Sequence, residues 1–144
     1  MKILFKFLIM AAGYSNNPLS KKLGLKKGLI IKLIHPPENY LKLSDNLGDA
    51  RKSDKMADAY FDLIHLFTNS LEELGIAIPQ LKLQIKKNGM IWISWYKKSS
   101  GQISELNENR IREVAIFNGL VDVKVCAIDE NWSGLKLVYR LKDR

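Results

Sequence analysis

One cysteine and two histidines are all that this 144-residue chain offers toward thiol or imidazole chemistry. A lone thiol closes no disulfide within the monomer. With no histidine near it in sequence it builds no zinc site either, since such sites draw four ligands together. Cys126 lies in an alternating apolar run, so a packed thiol in a reducing cytoplasm is expected. Long apolar runs are also missing. The stretch from Met1 to Met10 (MKILFKFLIM) mimics a signal peptide, but Lys6 interrupts it and no convincing cleavage pattern follows. It falls far short of the ~20 apolar residues a helix needs to cross a bilayer. The expectation is a cytoplasmic protein without a membrane span, with Met10 as the functional start.

Acidic residues are absent before Glu38, while seven lysines (Lys2, Lys6, Lys21, Lys22, Lys26, Lys27, Lys32) precede it. From Glu38 onward sixteen basic residues face fifteen acidic ones, so +7 of the net +8 belongs to the N-terminal quarter. We divide the chain into a basic lead-in, residues 1–27, and one α/β domain, residues 28–144. That length buries a core without metal or disulfide support. No repeat or low-complexity tract occurs.

Residues 29–34 (LIIKLI) have the length and β-branching of a buried strand and stop at His35-Pro36-Pro37, because proline cannot donate to a sheet. Residues 62–67 (DLIHLF) form a second strand, with His65 as a packed core residue. Ser70 and Glu73 have capping-box spacing before apolar residues at helical intervals, a pattern that Pro79 is expected to break or kink. Asn88-Gly89 opens a strand over residues 90–95 (MIWISW), whose Trp92 and Trp95 face opposite sides. Residues 104–117 read as a second helix closed by Asn118-Gly119, and residues 121–139 as a hairpin. The Leu41/Leu43 pair makes a short strand or nothing regular. Strands alternating with helices need long, right-handed crossovers, so the fold expected is a mostly parallel Rossmann-like sheet with a C-terminal antiparallel hairpin.

In such sheets ligands sit beyond the carboxyl ends of the strands. That edge gathers His35, then Asn69 and Ser70, then Lys97-Lys98-Ser99-Ser100-Gly101, then Asp129, Glu130 and Trp132. Two ammonium groups, hydroxyls and a glycine suit a small anion, although the spacing is not that of a P-loop. Trp132, placed in the hairpin loop, is the tryptophan suited to cover a ligand. Glycine is lacking after the first strand, where dinucleotide and S-adenosylmethionine sites use it for close backbone approach. No metal motif occurs.

Gly13-Tyr-Ser15, Pro18-Leu19, Lys21-Lys-Leu-Gly24, Trp95 with the lysine–serine loop, and the run from Val121 to Val138 (VDVKVCAIDENWSGLKLV) resemble a family of short bacterial proteins defined as domain of unknown function 3052. That resemblance spans residues 13–140 and implies no activity. The strand plan also resembles the C-terminal part of class I methyltransferases, although His35 to Tyr40 departs from their cofactor loop. These features together lead to the expectation of a methyltransferase-like module that leans away from catalysis, holds no cofactor, and binds a small anionic ligand or a partner at the strand edge. One alternative is an S-adenosylmethionine-dependent methyltransferase variant with His35 or Asp129 as base. The other is a nucleic-acid accessory protein acting through its basic N-terminus.

Overall fold

The computed structural model describes residues 18–144. The MKILFKFLIM stretch, the Met10 start and the Gly13-Tyr-Ser15 motif lie outside them. Among the described residues the chain forms α1 (Leu19–Leu23), β1 (Ile30–Ile34), α2 (Tyr40–Leu43), β2 (Arg51–Lys52), β3 (Phe61–Phe67), α3 (Leu71–Gln84), β4 (Ile85–Tyr96), α4 (Glu108–Phe117), β5 (Leu120–Ala127) and β6 (Trp132–Tyr139). One six-stranded sheet results, in the order β2-β1-β3-β4-β6-β5. β2, β1, β3 and β4 run parallel; β6 runs antiparallel to both β4 and β5. This is the α/β architecture expected from the pattern.

Burial on both faces explains the central strands. β3 is apolar almost throughout, and Ile64 and Leu66 point to one face while Leu63 and Phe67 point to the other. Trp92 and Trp95 divide between the same two cores, as their odd spacing requires. β6 inserts between β4 and β5, and the burial of the two strands follows that order. Leu135, Leu137, Val138 and Tyr139 are buried, whereas β5 leaves Val123, Lys124 and Val125 exposed. A charged residue on the outer strand discourages pairing with a further chain.

α3 and α4 cover one face, through Leu74, Ile78, Leu81, Ile111 and Ala115. Ser70 Oγ accepts from Glu73 N–H at 3.1 Å to start α3, and Asn107 Oδ1 accepts from Arg110 N–H at 2.9 Å to start α4. On the other face Leu19, Leu23 and Leu25 pack with Tyr40, Phe67 and Trp92, and the Trp92 indole donates to Leu23 O at 2.9 Å. Each fully buried large side chain contributes roughly 1.5–3 kcal/mol.

Several local expectations change. The basic lead-in, for which no regular element was expected, holds α1. Leu41 and Leu43 lie in the single helical turn of α2, and the two-residue strand β2 was not foreseen. α3 continues through Pro79. Both Pro79 and Gly75, whose carbonyl would have received the missing N–H, are exposed, so water satisfies that carbonyl. β4 starts at Ile85, five residues before the strand expected from Met90, because Ile85 is buried and pairs with Phe61 of β3 where the sequence suggested a continuing helix. α4 starts at Glu108, four residues later than the pattern implied.

His65, fully buried in the middle of β3, bonds through Nδ1 to the Tyr40 hydroxyl and through Nε2 to Ser94 Oγ, both at 2.7 Å. A neutral imidazole offers one donor and one acceptor, which matches two hydroxyl partners. Burial lowers its pKa to about 3 and pushes the Tyr40 phenol well above its ordinary range. The unfolded chain therefore binds a proton at His65 near pH 6.5 that the folded chain refuses. Stability should fall as pH drops from 6.5 toward about 3, with a slope of up to about 1.4 kcal/mol per pH unit from this group. Urea unfolding across that range checks it; His65→Gln should flatten the dependence.

Candidate functional site

The chain leaves β1, crosses to β2 on one side and returns to β3 on the other, so the sheet reverses direction between β1 and β3. Such a reversal opens a crevice beyond the strand ends, because the two connections diverge from it. His35 follows β1 with φ 55°, a left-handed conformation, and its ring is largely solvent-exposed. Its Nδ1 lies 3.6 Å from the Glu73 carboxylate in the first turn of α3. The crevice is thus flanked by an imidazole, a carboxylate and the Ser70 cap.

Beneath this rim runs a line of aromatic contacts. Tyr40 meets Phe67 edge-on at 5.7 Å, Phe67 meets Trp132 edge-on at 5.0 Å, and Trp132 lies against Tyr96 at 4.1 Å. Trp132 is the first residue of β6 and is half-buried against Phe67 and Tyr96, which corrects its placement in the loop.

The other strand-edge residues are held largely by one another. Asn69 Oδ1 accepts from Tyr96 N–H at 2.8 Å, while its carbonyl accepts from Glu105 N–H at 3.0 Å, so Asn69 ties β3 to β4 and to the loop before α4. Lys97 N–H donates to Asn131 O at 2.8 Å, joining the end of β4 to the hairpin turn. Lys98, Ser99 and Ser100 form one 3₁₀ turn, closed by Ser100 Oγ donating to Lys97 O at 2.7 Å. Asp129 Oδ1 accepts from both Asn131 and Trp132 N–H at 2.8 Å, which fixes the hairpin turn, whereas Glu130 is exposed. The four strand ends do share one edge, since Tyr96 pairs with Trp132 at the start of β6. A small cavity of about 280 Å³ opens there, lined by Tyr96, Lys98, Gln102, Ser104, Asn107 and Arg110 among others.

Pro36 and Pro37 remove two backbone donors where a glycine loop would present them. The Tyr40 N–H already donates to Pro37 O at 3.0 Å, and α2 is a single turn. The β1–α2 connection therefore does not fit a ligand carboxylate or phosphate cradled by backbone N–H groups. A residue passed over in the sequence lies on the far side of β1 from β3. The parallel ladder continues one step beyond β2, with Ser53 N–H donating to Ile31 O at 2.9 Å, and Asp54 follows, exposed, at the outer side of β1. Asp54 stands twenty residues after Ile34, the interval at which dinucleotide folds place a carboxylate for ribose hydroxyls, and that interval was the readable signal. Among the described residues no cluster of His, Cys, Asp and Glu has the arrangement of a metal site, and no helix is long and apolar enough to cross a membrane.

No family model and no curated sequence matches the chain. Solved structures do. A SAM-dependent methyltransferase from Aquifex aeolicus shares 15% identity over 81% of this chain and 85% of its own, with TM-score 0.57. Magnesium protoporphyrin IX methyltransferase from Synechocystis, with bound SAM, shares 11% over 85% of this chain and 74% of its own, with TM-score 0.54. A Burkholderia thailandensis 1,6-didemethyltoxoflavin N1-methyltransferase, with bound 1,6-didemethyltoxoflavin and S-adenosylhomocysteine, shares 13% over 84% and 76%, with TM-score 0.52. The scaffold is methyltransferase-like. Two expectations are corrected by these matches, the leaning away from catalysis and the absence of a cofactor: the neighbours are enzymes, two of them solved with SAM or its product bound.

Because Asp129 carries the turn and Glu130 does not, Asp129→Ala should cost about 1–2 kcal/mol and Glu130→Ala less than about 0.5 kcal/mol. Parallel urea titrations of the two variants check this.

Proposed function

We propose that this chain is an S-adenosylmethionine-dependent methyltransferase variant that holds its cofactor by side chains around the β1–β3 crevice and without a glycine cradle. The observation that supports this reading is the strand order, which reverses beside β1 and brings His35, after β1, and Ser70, after β3, to the same end of the sheet. In this reading Asp54 takes the ribose hydroxyls, since a carboxylate accepts two hydrogen bonds from a vicinal diol. When bound, the cofactor would supply an electrophilic methyl group. Pro36 and Pro37 stiffen the floor of the opening, and the Tyr40–His65–Ser94 chain anchors it.

His35 is the base in this proposal. Its imidazole is exposed beside the crevice, and Glu73 at 3.6 Å is placed to orient it. Asp129 is the weaker choice, because one of its oxygens already receives two backbone N–H groups. Lys98 and Arg110, beside the cavity at the end of β4, suit an anionic group on the acceptor molecule, which retains the small-anion expectation as substrate recognition. Membership in the bacterial family that the C-terminal motif resembles belongs to the same proposal.

Titration calorimetry with S-adenosylmethionine and S-adenosylhomocysteine tests it. Heat of binding is expected, weakened at least about tenfold, or 1.4 kcal/mol, by Asp54→Ala and little changed by Glu130→Ala. Absence of heat at millimolar ligand overturns the reading.

A further inference from the structure

We propose that the edge of the sheet opposite the β1–β3 crevice docks on an anionic lipid surface. α3 ends there at Gln84, α4 at Phe117 and β6 at Tyr139, so the topology brings three chain segments to one end of the molecule. Cations crowd this end. Lys82 and Lys87 place their ammonium groups 5.5 and 4.5 Å from the centre of the same Tyr139 ring. A β-carbon on Gly119 would stand 2.8 Å from Lys82 Nζ and 3.5 Å from the Arg140 guanidinium. Lys142 and Arg144 follow in the exposed tail. Asp143 is set among them, while Asp62 is paired with Lys86 at 3.1 Å and Asp58 lies nearby, before Ala59. Arg140, bonded to Asp143 at 2.8 Å, holds its carboxyl below the usual range, helped by Lys142 and Lys82.

Apolar side chains protrude from the same end. Phe117 is 91% exposed, Leu141 79%, Leu83 61% and Ile116 57%. Protruding apolar groups among cations match an interface in which acyl chains accept the first and anionic headgroups the second. Other occupants satisfy half of this. A second copy would bring like charge against like charge. A nucleic-acid backbone would press Phe117 and Leu141 against phosphates, and the Tyr139 ring is buried and so gives no stacking platform. The docked edge leaves the crevice facing away from the lipid, so this inference stands apart from the cofactor assignment.

Co-sedimentation of the full-length chain with phosphatidylcholine vesicles, with and without phosphatidylserine, tests it. Retention is expected on the phosphatidylserine vesicles alone and is lost as salt screens the headgroups. Phe117→Ser/Leu141→Ser and Lys87→Gln/Lys142→Gln should each weaken partitioning at least about tenfold while thermal midpoints hold, because surface changes of this kind leave the core intact. No retention on anionic vesicles, equal retention on neutral ones, or retention untouched by the Phe117→Ser/Leu141→Ser pair overturns the proposal; the last would leave the N-terminal lysines as the contact. Salt-sensitive retention of a DNA duplex in place of vesicles overturns it in favour of nucleic acid.

Discussion

A neutral imidazole in the centre of the sheet holds the rest of this structure in register. His65 is closed off from solvent, and its two nitrogens are satisfied by Tyr40, which comes down from the segment after β1, and by Ser94 opposite on β4. An unpaired polar group at that depth would cost about 1–3 kcal/mol, so the pairing is close to obligatory. It fixes α2 against the sheet. With α2 fixed, the β1 connection must pass through His35, Pro36 and Pro37 in a bent, donor-poor path, and the crevice takes its character from that path.

The consequence is a methyltransferase-like scaffold whose first strand end is poor in backbone donors. Where a glycine loop would offer backbone N–H groups, this chain offers an imidazole and two prolines; where polar residues line the strand ends, several are engaged in holding the ends together. Asn69 braces β3 to β4, Lys97 N–H braces β4 to the hairpin, and Asp129 shapes the hairpin turn. The ends of the sheet therefore differ in kind. One is a polar rim braced by hydrogen bonds, the other a surface of cations and protruding apolar groups.

The cores and most strands were readable before any coordinates, because an unbroken apolar run such as residues 62–67 can satisfy its side chains only between two layers. The capped start of α3 was readable for a similar reason: the Ser70 bond to Glu73 N–H is local and needs no distant partner. Errors fell where a distant partner decides. Ile85 to Lys87 continued the helical pattern and became strand because β3 offered a ladder. Leu41 and Leu43 had no legible preference until His65 drew Tyr40 inward.

By itself, then, the sequence determined the alternation of strands and helices, the two-sided core, the hairpin at the end and the poverty of donors after β1, since each follows from side-chain type and short-range spacing. Tertiary structure alone decided that β6 lies between β4 and β5, that Trp132 belongs to β6 and meets Phe67 and Tyr96, that Asp54 follows β2 on the outer side of β1, and that Lys82, Lys87 and Arg140 share one end with Phe117. Those facts depend on which segments are neighbours in space, and the hydrogen bonds and contacts that choose neighbours join residues tens of positions apart.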